Sequence, residues 1–316
     1  LRYRPFVDAA DEVLSGDKLR SYRESFSNPM DNEFWEPNHF TDEQLAELDI
    51  PIFFTDGWYD LTMGPINYFS RMERLNRNQD RYLLVGPWNH SQTYAEHQAG
   101  ADDGERVLPE NGAIDLRGLR KSFFDRYLKG DKNSEVQADR VRVYISGSES
   151  SNANVWRNYP TFPPPGTEFK RLYLHSQGKA HDIPSDGVIS ALPPGEEPTD
   201  SYTYDPALPT NSNIGGSEDR RQVEIRTDVL TYTTQPLEEP MTILGDITLM
   251  LHAASDCPDT DWLAVISEVF PDGQSKCFHS SDYAFRARYR EGFDREVFLE
   301  PNRPEEFQIP MGPAGH

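Results

Sequence analysis

Two stretches of the chain place an ionisable side chain at the end of a short apolar run. In PIFFTDGWYD, residues 51–60, the run 52–54 meets Asp56-Gly57, passes two aromatics and ends on Asp60. Thirty residues later RYLLVGPWNH, residues 81–90, repeats the plan and ends on His90. A carboxylate that accepts from one imidazole nitrogen fixes the tautomer. It also stabilises the cation formed when the other nitrogen takes a proton. That is the chemistry of a general base. The bland alternative is that Asp60 caps a helix starting near Met63 and His90 merely ends a strand.

The elements that must position the pair are legible as an α/β rhythm over residues 50–130. Residues 50–55 and 82–85 lack polar alternation, as strands do when both faces are covered. Between them MGPINYFSRMERLNR sets Ile66, Phe69, Met72 and Leu75 on one helical face. After a long polar loop at 91–112, DLRGLRKSFFDRYLKGD carries the stripe Leu116, Leu119, Phe123, Tyr127 and Leu128, stopped by Gly130. Strand, helix, strand, helix predicts a parallel sheet. Ligands of such sheets sit beyond the carboxyl ends of the strands, where Asp60 and His90 fall.

The flanks differ in texture. Residues 1–48 are acidic, with Val13, Leu14, Leu19, Leu45 and Leu48 at helical spacing around the aromatic loop NPMDNEFWEPNHF. Beyond RVRVYISG and the proline-rich connector 159–167 come short alternating strands with turn residues and no convincing helix. That predicts an all-β sandwich or jelly roll. The expected organisation is a helical cap piece at 1–48, the C-terminal half of an α/β core at 49–160 and a β domain at 161–316, incomplete at its C-terminus.

Bulk composition narrows the partners. The 316 residues carry 53 acids against 31 bases, a net charge of −22. Phosphate contact needs clustered Lys and Arg, so neither nucleic acid nor an anionic membrane is an expected partner. Lysine occurs at only seven positions, so 24 of the 31 bases are arginine. An acid-rich, lysine-poor surface suits high salt, where screening removes self-repulsion. The cysteines, Cys257 and Cys277, are expected to be free thiols or a non-local pair. LAVISEVFPDGQSKCF predicts a hairpin turning at Pro271-Asp272-Gly273, with Cys277 facing roughly Glu268. No run approaches a membrane span. The compartment stays open between cytoplasmic and secreted.

The two motifs also carry a resemblance. PIFFTDGWYD followed by LLVGPWNHS resembles the Asp and His motifs of the Xaa-Pro dipeptidyl-peptidase and cocaine-esterase-like serine hydrolases. The resemblance continues through FFDRYLKG, VYISGSESSNANVWRNYPTFPP, SYTYDPALPT, DVLTYTTQPLEEPMTILG, DTDWLAVISEVFPDG and RARYRE. It implies an α/β-hydrolase core with an inserted helical cap, followed by a C-terminal jelly roll. It makes Asp60 the catalytic acid and His90 the base, in the family's order Ser, Asp, His. No metal or organic cofactor is implied. The third member should be a serine in a Gly-x-Ser-x-Gly elbow. Ser15, Ser21, Ser25 and Ser27 precede the Asp strand without flanking glycines, and ISGSESS follows the His without a second glycine in register. The expectation is a fragment that begins inside the cap, lacks the nucleophile and is inactive alone.

The resemblance leaves the substrate as a small acyl ester, an amide or a short peptide, with a homo-oligomer possible. Amino-ester hydrolases of this kind place acids two and three positions after the catalytic Asp, where this chain has Thr62 and Met63. An α-amino ester held that way is therefore not expected. Trp58, Tyr59 and Trp88 beside the pair, with Phe34 and Trp35 in the cap, are candidates for an apolar acyl pocket. Core packing weighs equally for the first three. The alternatives are an Xaa-Pro dipeptidyl-peptidase proper, or a non-catalytic jelly-roll binding or scaffold module. His90 and His97 with Asp102 and Asp103 fit no zinc spacing. Asp256, Asp259 and Asp261 lack the glycine of a calcium loop and are expected to serve turns and strand ends.

Overall fold

A computed structural model describes residues 20–60, 62–75, 80–94, 108–148, 153–209, 219–278 and 284–316. The predicted positions Val13, Leu14, Leu19, His97, Asp102 and Asp103 lie outside them.

Among the described residues the N-terminal part contains two short α-helices, α1 (Arg20–Ser27) and α2 (Asp42–Glu47). Thr41 and Gln44 form a reciprocal capping box at the start of α2, which satisfies first-turn N–H groups that the helix leaves unpaired. Leu45 anchors α2 at 1% exposure.

The central sheet has the order β1-β2-β3-β4, with β1 (Ile52–Tyr59), β2 (Arg81–Asn89), β3 (Val141–Ile145) and β4 (Val155–Tyr159). β1, β2 and β3 run parallel, and β4 is antiparallel to β3. Alternation on β2 builds two cores. Leu83 and Val85 face Ile66 and Phe69 of α3 (Gly64–Leu75). Leu84 faces Leu116 of α5 (Leu116–Leu128), with Leu119 packed alongside. The helix between them in sequence, α4 (His90–Tyr94), begins at the mouth of the sheet.

Several expectations shift. The first strand was expected to break at Asp56-Gly57; it runs on through both. Gly57 permits this, because a Cβ there would lie 2.2 Å from the Trp88 carbonyl oxygen of β2. The expected loop at 91–112 opens with a helical turn. Leu128, the last residue of α5, leaves the predicted stripe at 77% exposure. Gly130 follows with φ +73°, the left-handed geometry that ends helices.

Among the described residues the β domain holds one three-stranded sheet and three strand pairs, with a four-residue helix at Arg221–Glu224 where no helix was expected. β5 (Tyr173–His175), β6 (Gly187–Ser190) and β7 (Tyr232–Thr233) form one sheet. The long ribbon joins β8 (Leu244–Ala253) to β13 (Glu305–Gly315). Phe307 and Ile309 of β13 pack with Leu249, Leu251 and Trp262 in a separate β core. β9 (Asp261–Leu263) pairs with β12 (Ala284–Arg286). β10 (Ser267–Val269) and β11 (Ser275–Cys277) make the predicted hairpin, but Cys277 lies opposite Ser267, one position from the expected Glu268. Neither Cys257 nor Cys277 forms a disulfide among the described residues.

Candidate active site

β1 and β2 end side by side, and each continues directly into the residue of interest. Asp60 follows the last residue of β1, and its N–H donates to the Gly57 carbonyl at 3.0 Å. Its Oδ1 accepts from the Thr62 N–H at 3.3 Å. His90 opens α4, and its geometry is set by the residue before it. Asn89 Oδ1 accepts from the Gln92 N–H at 2.9 Å, while Gln92 Oε1 accepts from the Asn89 N–H at 3.1 Å. Both side chains are buried. This reciprocal cap makes the strand-to-helix corner rigid.

His90 Nδ1 lies 2.8 Å from Asp60 Oδ1. The carboxylate accepts, so the imidazole carries its proton on Nδ1 and leaves the Nε2 lone pair unspent. The Asp60 side chain is 4% exposed and that of His90 is 52% exposed. A buried acid therefore holds an imidazole that opens outward. The Tyr94 ring stands edge-on to the imidazole at a centroid distance of 5.0 Å.

The aromatic candidates divide. Trp58 and Trp88 are 0% exposed and Tyr59 is 2% exposed. Trp58 Nε1–H donates to the Tyr144 carbonyl at 2.6 Å, and Trp88 Nε1–H to the Gly112 carbonyl at 3.0 Å. These indoles are built into the two cores beneath the pair. Phe34 and Trp35 pack edge to face with each other at 4.8 Å, and Trp35 Nε1–H donates to the Asn28 carbonyl. Their loop is tied to the β domain through the Asp31 N–H and the Phe293 carbonyl.

Sequence reading missed Asp56, a carboxyl at 1% exposure that accepts from the Gly57 and Ile66 N–H groups. Burial, with the nearby Asp60 charge adding, pushes it up to about 7. It also missed the cap on α4, although the spacing of NHSQ, residues 89–92, could have signalled it.

A second Ser–His–acid arrangement sits in the β domain. His175 Nδ1 lies 2.8 Å from Glu197 Oε1, and Nε2 lies 2.9 Å from the Leu192 carbonyl and 3.1 Å from Ser190 Oγ. Both nitrogens face acceptors, an arrangement that favours the ring with both nitrogens protonated. The Glu197 hydrogen bond correspondingly raises the His175 pKa. Such a ring has no lone pair to take a serine proton, and the cluster is a structural clamp on the 190–197 segment. Asp259 accepts from the Arg288 N–H and Asp261 pairs with Arg286 across β9 and β12. Among the described residues no group of three His, Cys, Asp or Glu side chains is placed to hold a metal ion.

Comparison with known proteins gives this arrangement a family. The X-Pro dipeptidyl-peptidase (S15 family) sequence model matches residues 4–92, which include Asp60 and His90. The X-Pro dipeptidyl-peptidase C-terminal non-catalytic domain matches residues 134–316, more than half of the chain. The chain belongs to the X-Pro dipeptidyl-peptidase and cocaine-esterase-like hydrolase family. A cocaine esterase from Rhodococcus sp. (strain MB1 Bresler) is 30% identical over 293 residues, covering 90% of this chain and 49% of that protein. A putative serine esterase of Mycobacterium bovis is 24% identical over 75% of the chain and 35% of its own length. An aminopeptidase from a marine sediment Thaumarchaeota archaeon superposes with TM-score 0.78 at 25% identity, over 98% of this chain and 52% of that one. An α-amino acid ester hydrolase superposes with TM-score 0.76 at 25% identity, over 98% and 54%. The chain thus spans about half or less of the length of the curated relatives it matches. Within the family frame, β3 and β4 fall inside the C-terminal match, yet they hydrogen-bond into the same sheet as β1 and β2.

Proposed function

We propose that Asp60 and His90 are the acid and base of a serine hydrolase that cleaves acyl esters, amides or short peptides. The 2.8 Å contact between His90 Nδ1 and Asp60 Oδ1 carries this reading, because it leaves Nε2 on an exposed ring to work as a base. Nε2 takes the proton of a serine hydroxyl as its oxygen attacks the acyl carbon. The imidazolium, held by Asp60, then protonates the departing alcohol or amine. Water repeats the cycle and releases the acid. The serine is supplied from outside these 316 residues, since no Gly-x-Ser-x-Gly occurs among them. The oxyanion donors that accompany such a serine come with it. Membership of a hydrolase family supports the reaction class.

Thr62 and Met63 stand where an ammonium-binding pair of acids would be needed. Met63 is 2% exposed and committed to the core, so substrates without an α-ammonium requirement fit better.

The test is turnover of a p-nitrophenyl ester by the chain alone and by the chain joined to the Gly-x-Ser-x-Gly-bearing N-terminal half of a family member. Turnover is expected only in the joined protein. It should vanish in His90→Ala and fall about 10⁴-fold in Asp60→Asn, where the tautomer is lost. Undiminished turnover in His90→Ala would remove the assignment.

A further inference from the structure

We propose that Asp56 is a positioning residue for the Asp60–His90 pair, splinting the end of β1 to the first turn of α3. The inference rests on the reading of that pair as the catalytic acid and base.

Asp56 and Asp60 lie on the same strand end, with the turn that presents Asp60 beginning at Gly57. Burying a carboxyl at 1% exposure is costly unless its oxygens are used. Both are used on that turn. Oδ1 accepts from the Gly57 N–H at 2.9 Å. Oδ2 reaches the Ile66 N–H at 3.4 Å. Ile66 is the third residue of α3, and its N–H is one of those a helix start leaves unpaired. One side chain therefore pins both ends of residues 57–66.

The pinned segment leads directly to the acid. Gly57 is pressed against the Trp88 carbonyl of β2, and its own carbonyl accepts from the Asp60 N–H at 3.0 Å. The register of β1 on β2 slips between Gly57 and Tyr59, where Tyr59 pairs with Asn89. Such irregularities re-aim side chains at strand ends. Here the slip turns Asp60 toward His90, and Asp56 sits one residue before the last ladder pair ahead of it, Gly57 with Gly86. A carboxyl that burial keeps neutral up to about 7 also brings no second negative charge beside Asp60. A plain helix cap would affect only stability. A positioning residue must also affect the imidazole two strands' ends away.

The experiment records the ring nitrogens of His90 by long-range ¹H–¹⁵N spectroscopy in the 316-residue chain. Wild type, Asp56→Asn, Asp56→Ser and Asp60→Asn are compared. Wild type should show the Nδ1–H tautomer, and Asp60→Asn should lose it. Asp56→Ser, which cannot span to Ile66, should lose most of it while melting cooperatively; Asp56→Asn should lose less. Folded Asp56 variants with the wild-type His90 spectrum would reduce Asp56 to a cap and overturn the proposal. If Asp60→Asn itself leaves His90 unchanged, the acid–base reading fails instead, and the two failures are distinct. Should the Asp56 variants not fold, the wild-type carboxyl ¹³C signal of Asp56 decides. Its titration should be mirrored in the His90 ring signals, and a titration with no such response overturns the proposal.

Discussion

At the residue scale the site sets two carboxyls with different tasks within one strand end. Asp60 accepts from an imidazole, while among the described residues Asp56 accepts from backbone N–H groups. Asp56 also makes stability depend on pH. Its pKa is raised from 3.8 to about 7, chiefly by burial. Between those values the folded chain binds a proton that the unfolded chain has released, so its contribution is full below 3.8 and lost as pH rises through about 7. Asp56→Asn should show a flatter fall in unfolding free energy than wild type between pH 3.8 and about 7, on the order of a few kcal/mol across the shift. Urea titrations at several pH values measure it, and parallel curves would contradict it.

At the element scale, caps decide where helices begin and what they present. Asp115 accepts from the Gly118 N–H at 2.8 Å and starts α5, which covers one face of the sheet. Asp115→Ala should cost about 1 kcal/mol in a urea titration, the usual value of an N-cap. The α4 cap differs in consequence, because α4 opens on His90 itself. Arg120 of α5 donates to the Thr93 carbonyl at 3.0 Å, joining that short helix to the longer one. The ion pair of Arg140, the residue before β3, with Glu73 of α3 has side chains 12% and 7% exposed.

At the scale of the whole molecule the β domain buttresses the strand that carries Asp60. The end of β13 lies against β1 and β3: the Gly315 carbonyl accepts from the Ser146 N–H at 3.0 Å. A Cβ on Gly315 would come within 2.4 Å of the Trp58 ring, two residues before Asp60. Gly315→Ala should therefore destabilise the chain by about 1–3 kcal/mol, as overpacking does. Trp58 fluorescence should change with it; an unshifted spectrum and unchanged stability would show that the contact is slack. The net charge of −22 makes a second global prediction. Screening should raise the melting temperature from low salt to about 1 M salt, where the Debye length is only about 3 Å. A flat or falling trend in a calorimetric salt series would count against a surface limited by self-repulsion.

Local patterns in the sequence determined a good deal. Unalternated apolar runs gave β1 and β2, helical spacing put Ile66, Phe69 and Met72 on the buried face of α3, and Pro271-Asp272-Gly273 marked the β10–β11 turn. The placement of Asp60 and His90 past two parallel strands followed from the same period and order. Tertiary structure decided the rest. Gly57 looked like a strand breaker until the nearness of the Trp88 carbonyl showed why only glycine lets the strand continue. Trp58 and Trp88 read as pocket or core with equal right, and the carbonyls of Tyr144 and Gly112 decided for core. Asp56 drew no functional reading from the sequence, because burial is a property of what packs above it. Periodicity and turn chemistry act between neighbours in the chain. Desolvation, close backbone approach and the sharing of buried N–H groups depend on residues brought together only by the fold.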